Sequence, residues 1–226
     1  YPNDVKQYEA TFRNDQLIGS YKRFYPTGDL KAHLQYQSPG GFASAVFYDR
    51  KGKKVSEGFF NGKQKDSIWK YYTGKGRLIM QEQFDNGKRS GAQKFYHRTG
   101  QLAEVKHFKQ GKQHGYWKKY YPDGDLLLET YYRDDKLDGW YISYYPDGSM
   151  ETEGKYENNQ RDSVWTYYTR EGKVSHTLTY KNGEAQNRDS LDKAETDLIN
   201  QLEKNRGKIP DPREEFYQNT RFGGRR

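Results

Sequence analysis

Aromatic, glycine and small residues recur along this chain at fixed offsets with a period of 24. Seven glycines, Gly28, Gly52, Gly76, Gly100, Gly124, Gly148 and Gly172, stand 24 positions apart. Four positions before each is an aromatic: Phe24, Tyr48, Tyr72, Tyr96, Tyr120, Tyr144 and Tyr168. Eight positions after each is another: Tyr36, Phe60, Phe84, Phe108, Tyr132, Tyr156 and Tyr180. Nine before each is a small residue: Gly19, Ala43, Ser67, Gly91, Gly115, Gly139 and Ser163. Four columns held in register over seven copies identify a repeat protein.

The elements follow from one copy, residues 115–138. Pro122-Asp123-Gly124 is turn chemistry: Pro fixes φ, Asp caps, and Gly accepts positive φ. Short runs rich in Tyr, Trp and Leu flank it and favour strands. A second turn closes each copy at Asn61-Gly62, Asn86-Gly87, Gln110-Gly111 and Asn182-Gly183, with Asp134-Asp135 and Asn158-Asn159 in the fifth and sixth copies. Asn-Gly is a strong hairpin signal, and Asn and Asp also tolerate left-handed backbone. Two turns per period predict an all-β, elongated, single-layer antiparallel meander of about seven hairpins, some fourteen strands in all.

Two further columns predict stacked ladders along the sheet. Seven positions before the turn glycine stand Tyr21, Ala45, Trp69, Gln93, Trp117, Tyr141 and Trp165. Two after it stand Leu30, Lys54, Leu78, Leu102, Leu126, Met150 and Val174, with Val55 expected to replace Lys54 by a one-residue slip. The small-residue column predicts close approach of a ring to the backbone.

The expected organisation is an N-terminal half-repeat cap over residues 1–18 and seven repeats over 19–183. A capping helix over 184–208 and an extended basic, aromatic tail over 209–226 follow. Asp4 and Phe12 fit the glycine and trailing aromatic columns one period before Gly28 and Tyr36. Asp189-Ser190 can start the helix, with Leu191, Ala194, Leu198 and Leu202 on one stripe that would cover the last strand. The second unit departs from the pattern and is expected to be distorted or to carry a contact.

Composition fits a thin sheet. Only 32% of the chain is hydrophobic, yet it holds 22 Tyr, 11 Phe and 4 Trp. Such a chain is too aromatic for disorder and too polar for a thick core. The absence of cysteine excludes disulfides, thiolate zinc sites and cysteine nucleophiles. No apolar run approaches the roughly 20 residues of a membrane-spanning helix. The net charge is +8, with 30 Lys and Arg against 22 Asp and Glu in residues 1–183. Interspersed acids make this chiefly a solvated face, with an anionic lipid or acidic protein surface as the alternative.

Gly-x-Trp-x-x-Tyr-Tyr-Pro-Asp-Gly-x-Leu-x-x-Glu-x-x-Tyr at 115–132, echoed at 139–156 and 163–180, resembles the bacterial MORN-type repeat. The variant is that of YwqK-like proteins, some of them antitoxins of toxin–antitoxin pairs. The resemblance spans about residues 19–183. It implies a sheet of hairpins that binds or scaffolds and does not catalyse. A composition rich in Tyr, Lys, Asn and Gly resembles exported or envelope proteins of bacteria. The chain opens on Tyr1, as after signal removal or trimming. The expected location is the periplasm or outer membrane.

No catalytic, metal or cofactor-binding residues are expected. The histidines His33, His97, His107, His114 and His176 form no ligand spacing. Glu57, Glu129 and Glu153 share one column, but catalytic carboxylates need unlike environments, and each is expected to meet a Lys or Arg across the strand. Gly74-Lys75-Gly76 lies in a hairpin turn and lacks the strand-to-helix setting of a phosphate loop. Nucleic acid is an unlikely partner, since the rings are needed to hold the sheet together. The expected function is a non-enzymatic scaffold or protein-interaction module in a multiprotein envelope complex. The alternatives are an anionic-membrane binder or an antitoxin-like protein. The tail residues Arg213, Phe216, Tyr217, Arg221, Phe222, Arg225 and Arg226 are the candidate partner contacts. Gly28 to Gly172, Trp69, Trp117 and Trp165 are the structural ladder.

Overall fold

Two turn types alternate along the chain and set every strand. In the computed structural model, which describes residues 1–186, the strands form one antiparallel sheet of 18. Each strand pairs with its neighbour in sequence, as Gly115–Tyr120 does with Leu126–Arg133, and Leu126–Arg133 with Lys136–Tyr144. Fourteen are the expected hairpin strands. The others are the N-terminal Tyr8–Arg13, the stub Glu184–Ala185, and the short pieces Lys88–Arg89 and Lys112–Gln113, each cut from its strand by one residue. Packing divides the described residues into two units, 1–93 and 94–186. The expected helix over 184–208 and the tail, with all seven candidate contacts, lie outside the described residues apart from the stub.

The first turn is identical in all seven copies. In the fifth, Gly124 N donates to Tyr121 O at 3.0 Å, and Tyr121 N donates to Asp125 O at 2.8 Å. Gly124 has φ 106°, and its six column mates also have positive φ. This is a three-residue loop closed by a bulge at a left-handed residue, where a Cβ is disfavoured. Asp4 (φ 62°) donates to Tyr1 O at 3.1 Å, so the same turn precedes strand Tyr8–Arg13.

The second turn places two positive-φ residues in a row: Asn86 and Gly87, Gln110 and Gly111, Asp134 and Asp135, Asn158 and Asn159, Asn182 and Gly183. Their amides also bind the preceding repeat. Gly87 N donates to Lys65 O at 2.8 Å, Asp135 N to Gln113 O at 2.9 Å, and Asn159 N to Leu137 O at 2.8 Å. Where Asp or Asn replaces glycine, its side chain returns the bond: Gln113 N donates to Asp135 Oδ1 and Leu137 N to Asn159 Oδ1, both at 2.7 Å. At the third hairpin the loop is Gly62-Lys63, one residue later than Asn61-Gly62, because Asn61 pairs with Gln64.

The small-residue column has a different cause from the one expected. Gly19, Ser67, Gly91, Gly115, Gly139 and Ser163 all have positive φ. Each sits in a bulge at the start of a first strand, and that conformation, together with close neighbours, selects against a large side chain. A Cβ on Gly139 would meet Tyr131 Cβ at 3.0 Å, and one on Gly115 would meet His107 Cβ at 2.9 Å. Ala43 is the exception. Strand Phe42–Tyr48 pairs with Leu30–Tyr36 in unbroken register, and Ala43 is fully buried at 0%. The residues that other copies spend in the bulge lie here in the longer Ser38–Gly41 loop, so the 24-residue period survives.

Close ring-to-backbone approach occurs elsewhere. Trp69 (2% exposed) lies across Gly58, and Trp165 (1%) lies across Gly154. Trp69 packs on Phe60 at 5.0 Å, and Trp165 on Tyr156 at 5.0 Å and Tyr141 at 5.4 Å. Trp117 instead faces Tyr132 and donates to Glu104 Oε1 at 2.6 Å. The expected slip at Val55 does not occur. Lys54 keeps the pairing with Tyr48, and its ammonium covers the Tyr72 ring at 4.4 Å.

Gly154→Ala would place a Cβ 2.2 Å from Trp165 Cδ2. It is expected to lower stability by about 1–3 kcal/mol in urea unfolding. Combining it with Trp165→Leu should be less than additive, since one collision is removed with the ring.

Candidate functional site

The two faces of the sheet differ in what their side chains are bonded to. On the inner face of the first unit, Glu82 (4% exposed) accepts from Tyr71 Oη at 2.8 Å, Arg89 Nε at 2.9 Å and Gln93 Nε2 at 2.8 Å. Lys65 donates to Tyr71 Oη at 2.7 Å and lies against Trp69, Phe84 and Tyr71, with the nearest ring centroid 4.4 Å away. Burial lowers the Lys65 pKa and raises that of Tyr71. In the second unit Arg161 takes the Lys65 position, 4.4 Å over Trp165, and donates to Tyr180 Oη at 2.8 Å. These networks tie the cations to rings and phenols within the repeats and serve packing.

The expected cross-strand lysine is found at Glu129, where Lys118 lies opposite, but all three repeated carboxylates share a further partner. Tyr72 Oη donates to Glu57, Tyr144 Oη to Glu129 at 3.2 Å, and Tyr168 Oη to Glu153 at 2.5 Å. The phenol of each next repeat is thus the common partner. Lysine joins at Glu57 (Lys54, 3.0 Å) and Glu129 (Lys118, 2.8 Å). The Tyr72 hydrogen bond, above all, holds the Glu57 carboxyl below its usual pKa.

A ring clasp joins successive repeats along the first-turn edge. Tyr1, Tyr25, Tyr121 and Tyr145 donate their hydroxyls to Phe24 O (2.7 Å) and to Tyr48 O, Tyr144 O and Tyr168 O (each 2.8 Å). His97 Nε2 makes the same contact with Tyr120 O at 3.0 Å. Asp49 and Thr73 interrupt this column and instead cap their own turns. The other histidines are likewise held: His33 by Ser20, His107 by Tyr116 O, His114 by Asp134, and His176 stacked on Tyr167 at 4.4 Å. Among the described residues no cluster of His, Asp and Glu could hold a metal.

The outer face carries what the inner face hides. Eight positions before the turn glycines, Tyr116 is 55% exposed, Trp140 59% and Val164 50%. They lie in the second unit, one repeat apart. Tyr131 stands edge-on to Tyr116 at 5.3 Å, and Trp140 is paired with Lys155. Strand alternation puts this column opposite the buried Tyr141 and Trp165. Sequence reading missed it because the column is not uniform: Ser20, Ser44, Ile68, Ala92, Tyr116, Trp140 and Val164. Its place beside the ladder column was the available signal.

The MORN repeat variant family matches residues 17–38, 89–110, 113–134 and 137–158. This is a MORN-type repeat protein. The matches omit the second, third and seventh repeats, and of these the second is the one whose first strand lacks the bulge. No curated protein matches the chain. Among solved structures it is similar to a ligand-bound mutant of S. aureus TarM and to TarM itself. TM-scores are 0.34 and 0.33 and identities 11% and 13%, over 50% and 49% of this chain but only 22% of each TarM chain. It is also similar to a TcdB2-TccC3 fusion (TM-score 0.18, 16% identity, 77% of this chain and 11% of that one). At these TM-scores the likenesses carry no argument.

Two expectations follow. Tyr121→Phe or Tyr145→Phe removes one clasp and should lower stability by about 1 kcal/mol in urea unfolding. Burial pushes the phenols of Tyr121, Tyr141 and Tyr167 up to about 12. A raised folded pKa contributes stability that is complete below the ordinary phenol value of about 10 and is lost as pH climbs from there toward 12. The urea midpoint should therefore fall over that interval, together with late tyrosinate absorbance.

Proposed function

We propose that this MORN-type repeat protein is a non-enzymatic binding module that takes a protein partner on the outer sheet face of its second unit. The observation that carries this reading is the exposed strip of Tyr116, Trp140 and Val164, with the half-buried Tyr131 beside Tyr116, built on regular strands. Exposed Trp and Tyr on a fixed scaffold are the residue types that anchor protein interfaces. A regular strand spacing gives them the fixed geometry that a complementary surface requires.

The acid groups of the repeats support the same reading. Glu82, Glu57, Glu129 and Glu153 spend their oxygens on tyrosine, arginine, lysine or glutamine partners within the repeats. Proton transfer would require such a group to face a substrate instead. An envelope complex or an antitoxin-like pairing would each be a case of this binding role.

The full chain immobilised as bait should retain at least one protein from its native source that Tyr116→Ser/Trp140→Ser loses. These surface replacements should leave stability within about 0.5 kcal/mol. Retention of the same proteins by the variant, at unchanged stability, would sink the proposal.

A further inference from the structure

The positive charge is not spread evenly over the repeats. Residues 1–93 hold 16 Lys and Arg against 9 Asp and Glu, whereas residues 94–186 hold 14 against 14. Within the first unit the excess is concentrated in residues 50–89, with 11 against 4. Five of these cations, Arg50, Lys51, Lys53, Lys75 and Arg77, lie on two successive first turns, at Gly52 and Gly76. The turns are one repeat apart, two strand spacings or roughly 10 Å along the same edge.

These two turns, like the last one at Gly172, lack the ring clasp. Where the other repeats carry Tyr or His three positions before the glycine, these carry Asp49 and Thr73, and the last carries Thr169. The exchange alters what the edge offers a ligand. The N–H groups of Lys51 and Lys53 donate to Asp49 Oδ1 at 2.8 and 2.9 Å. Those of Lys75 and Arg77 donate to Thr73 Oγ1 at 3.3 and 3.2 Å. The turn amides, which could otherwise form a nest for a phosphate group, are already occupied.

The neighbouring rings are occupied too. Tyr25 gives its hydroxyl to Tyr48 O and is flanked by Lys31 and Arg50 at 5.4 and 5.9 Å. Tyr72 gives its hydroxyl to Glu57 and lies beneath Lys54. Nucleobases would need open rings to stack on. A bilayer would favour apolar side chains beside the cations, and no exposed large hydrophobic residue lies on these turns. Asp49 is taken up by its own turn amides, so what the edge offers a ligand is a line of side-chain cations.

We infer that this edge docks an acidic polypeptide segment, whose carboxylates pair with the exposed Arg50, Lys51, Lys53 and Lys75. The inference rests on the reading of the protein as a protein-binding module and adds the chemistry of the partner. Carboxylates along an extended chain need no amide cradle and no stacking platform, and a line of cations complements them directly. Such contacts speed association and weaken with salt.

The test uses the full chain with three probes: fluorescein-labelled poly-L-glutamate, phosphatidylglycerol vesicles and an oligo-dT strand. Poly-L-glutamate should bind, with affinity falling as salt rises. The variant Lys51→Glu/Lys53→Glu/Lys75→Glu should weaken that binding by about tenfold or more, because it reverses three charges on one edge. Reversal of three exposed lysines of the second unit, Lys112→Glu/Lys136→Glu/Lys173→Glu, should weaken it by less than about threefold. Absence of salt-sensitive binding to poly-L-glutamate, equal losses in the two triple variants, or tighter binding to vesicles or oligo-dT would each overturn the inference. Trp140→Ser should leave poly-L-glutamate binding unchanged. Failure at the edge with Trp140-dependent capture intact would thus remove the acidic partner and leave the binding module standing.

Discussion

A one-layer sheet has no second layer to bury its side chains, so the hairpins depend on positive-φ backbone at up to three fixed points of the repeat. The turn glycine closes the hairpin, the paired left-handed residues of the second turn dock it on the previous repeat, and the bulge residue sets the strand between them. Shift any of these by one position and strand alternation would exchange the faces. Trp69 and Trp165 could not then lie over Gly58 and Gly154, and the phenol–carboxylate pairs of Tyr72 with Glu57 and Tyr168 with Glu153 would come apart.

The two margins of the sheet are held by different chemistry, and this bears on function. On the second-turn margin, backbone amides such as those of Gly87 and Asn159 bind the repeat before them. On the first-turn margin, hydroxyls of Tyr25, Tyr121 and Tyr145 reach the repeat after them. The second of these ties uses side chains, so it can be dropped without disturbing the backbone. Asp49 and Thr73 drop it, and cationic turns stand where rings do in other repeats. Specialisation occurs where the architecture allows substitution at little cost.

Much of this was legible in the sequence. Period, hairpins, turn positions and the buried Trp column follow from residue types at constant spacing. The bulge was not legible, because Gly or Ser in a strand fits both ring packing and a left-handed backbone; only Ala43, where the bulge is absent, separates the two. Nor was the clasp, since Tyr121 and Tyr145 precede Pro-Asp-Gly and read as turn residues. The carboxylate partners were read only in part: Lys118 faces Glu129 as charge pairing predicts, but the phenols of Tyr72, Tyr144 and Tyr168, one strand away, are the partners common to all three. Tyr116 and Trp140 stand in a column that also holds Ser and Ala, so no repetition marks them.

The division of faces is the claim on which the proposed binding surface rests. Oxidative footprinting of the isolated protein, read by mass spectrometry at single tryptophans, tests it directly. Trp140 should be modified much faster than Trp69 and Trp165, as their exposures of 59%, 2% and 1% require. Comparable rates at the three positions, or protection of Trp140 in the isolated chain, would contradict the account.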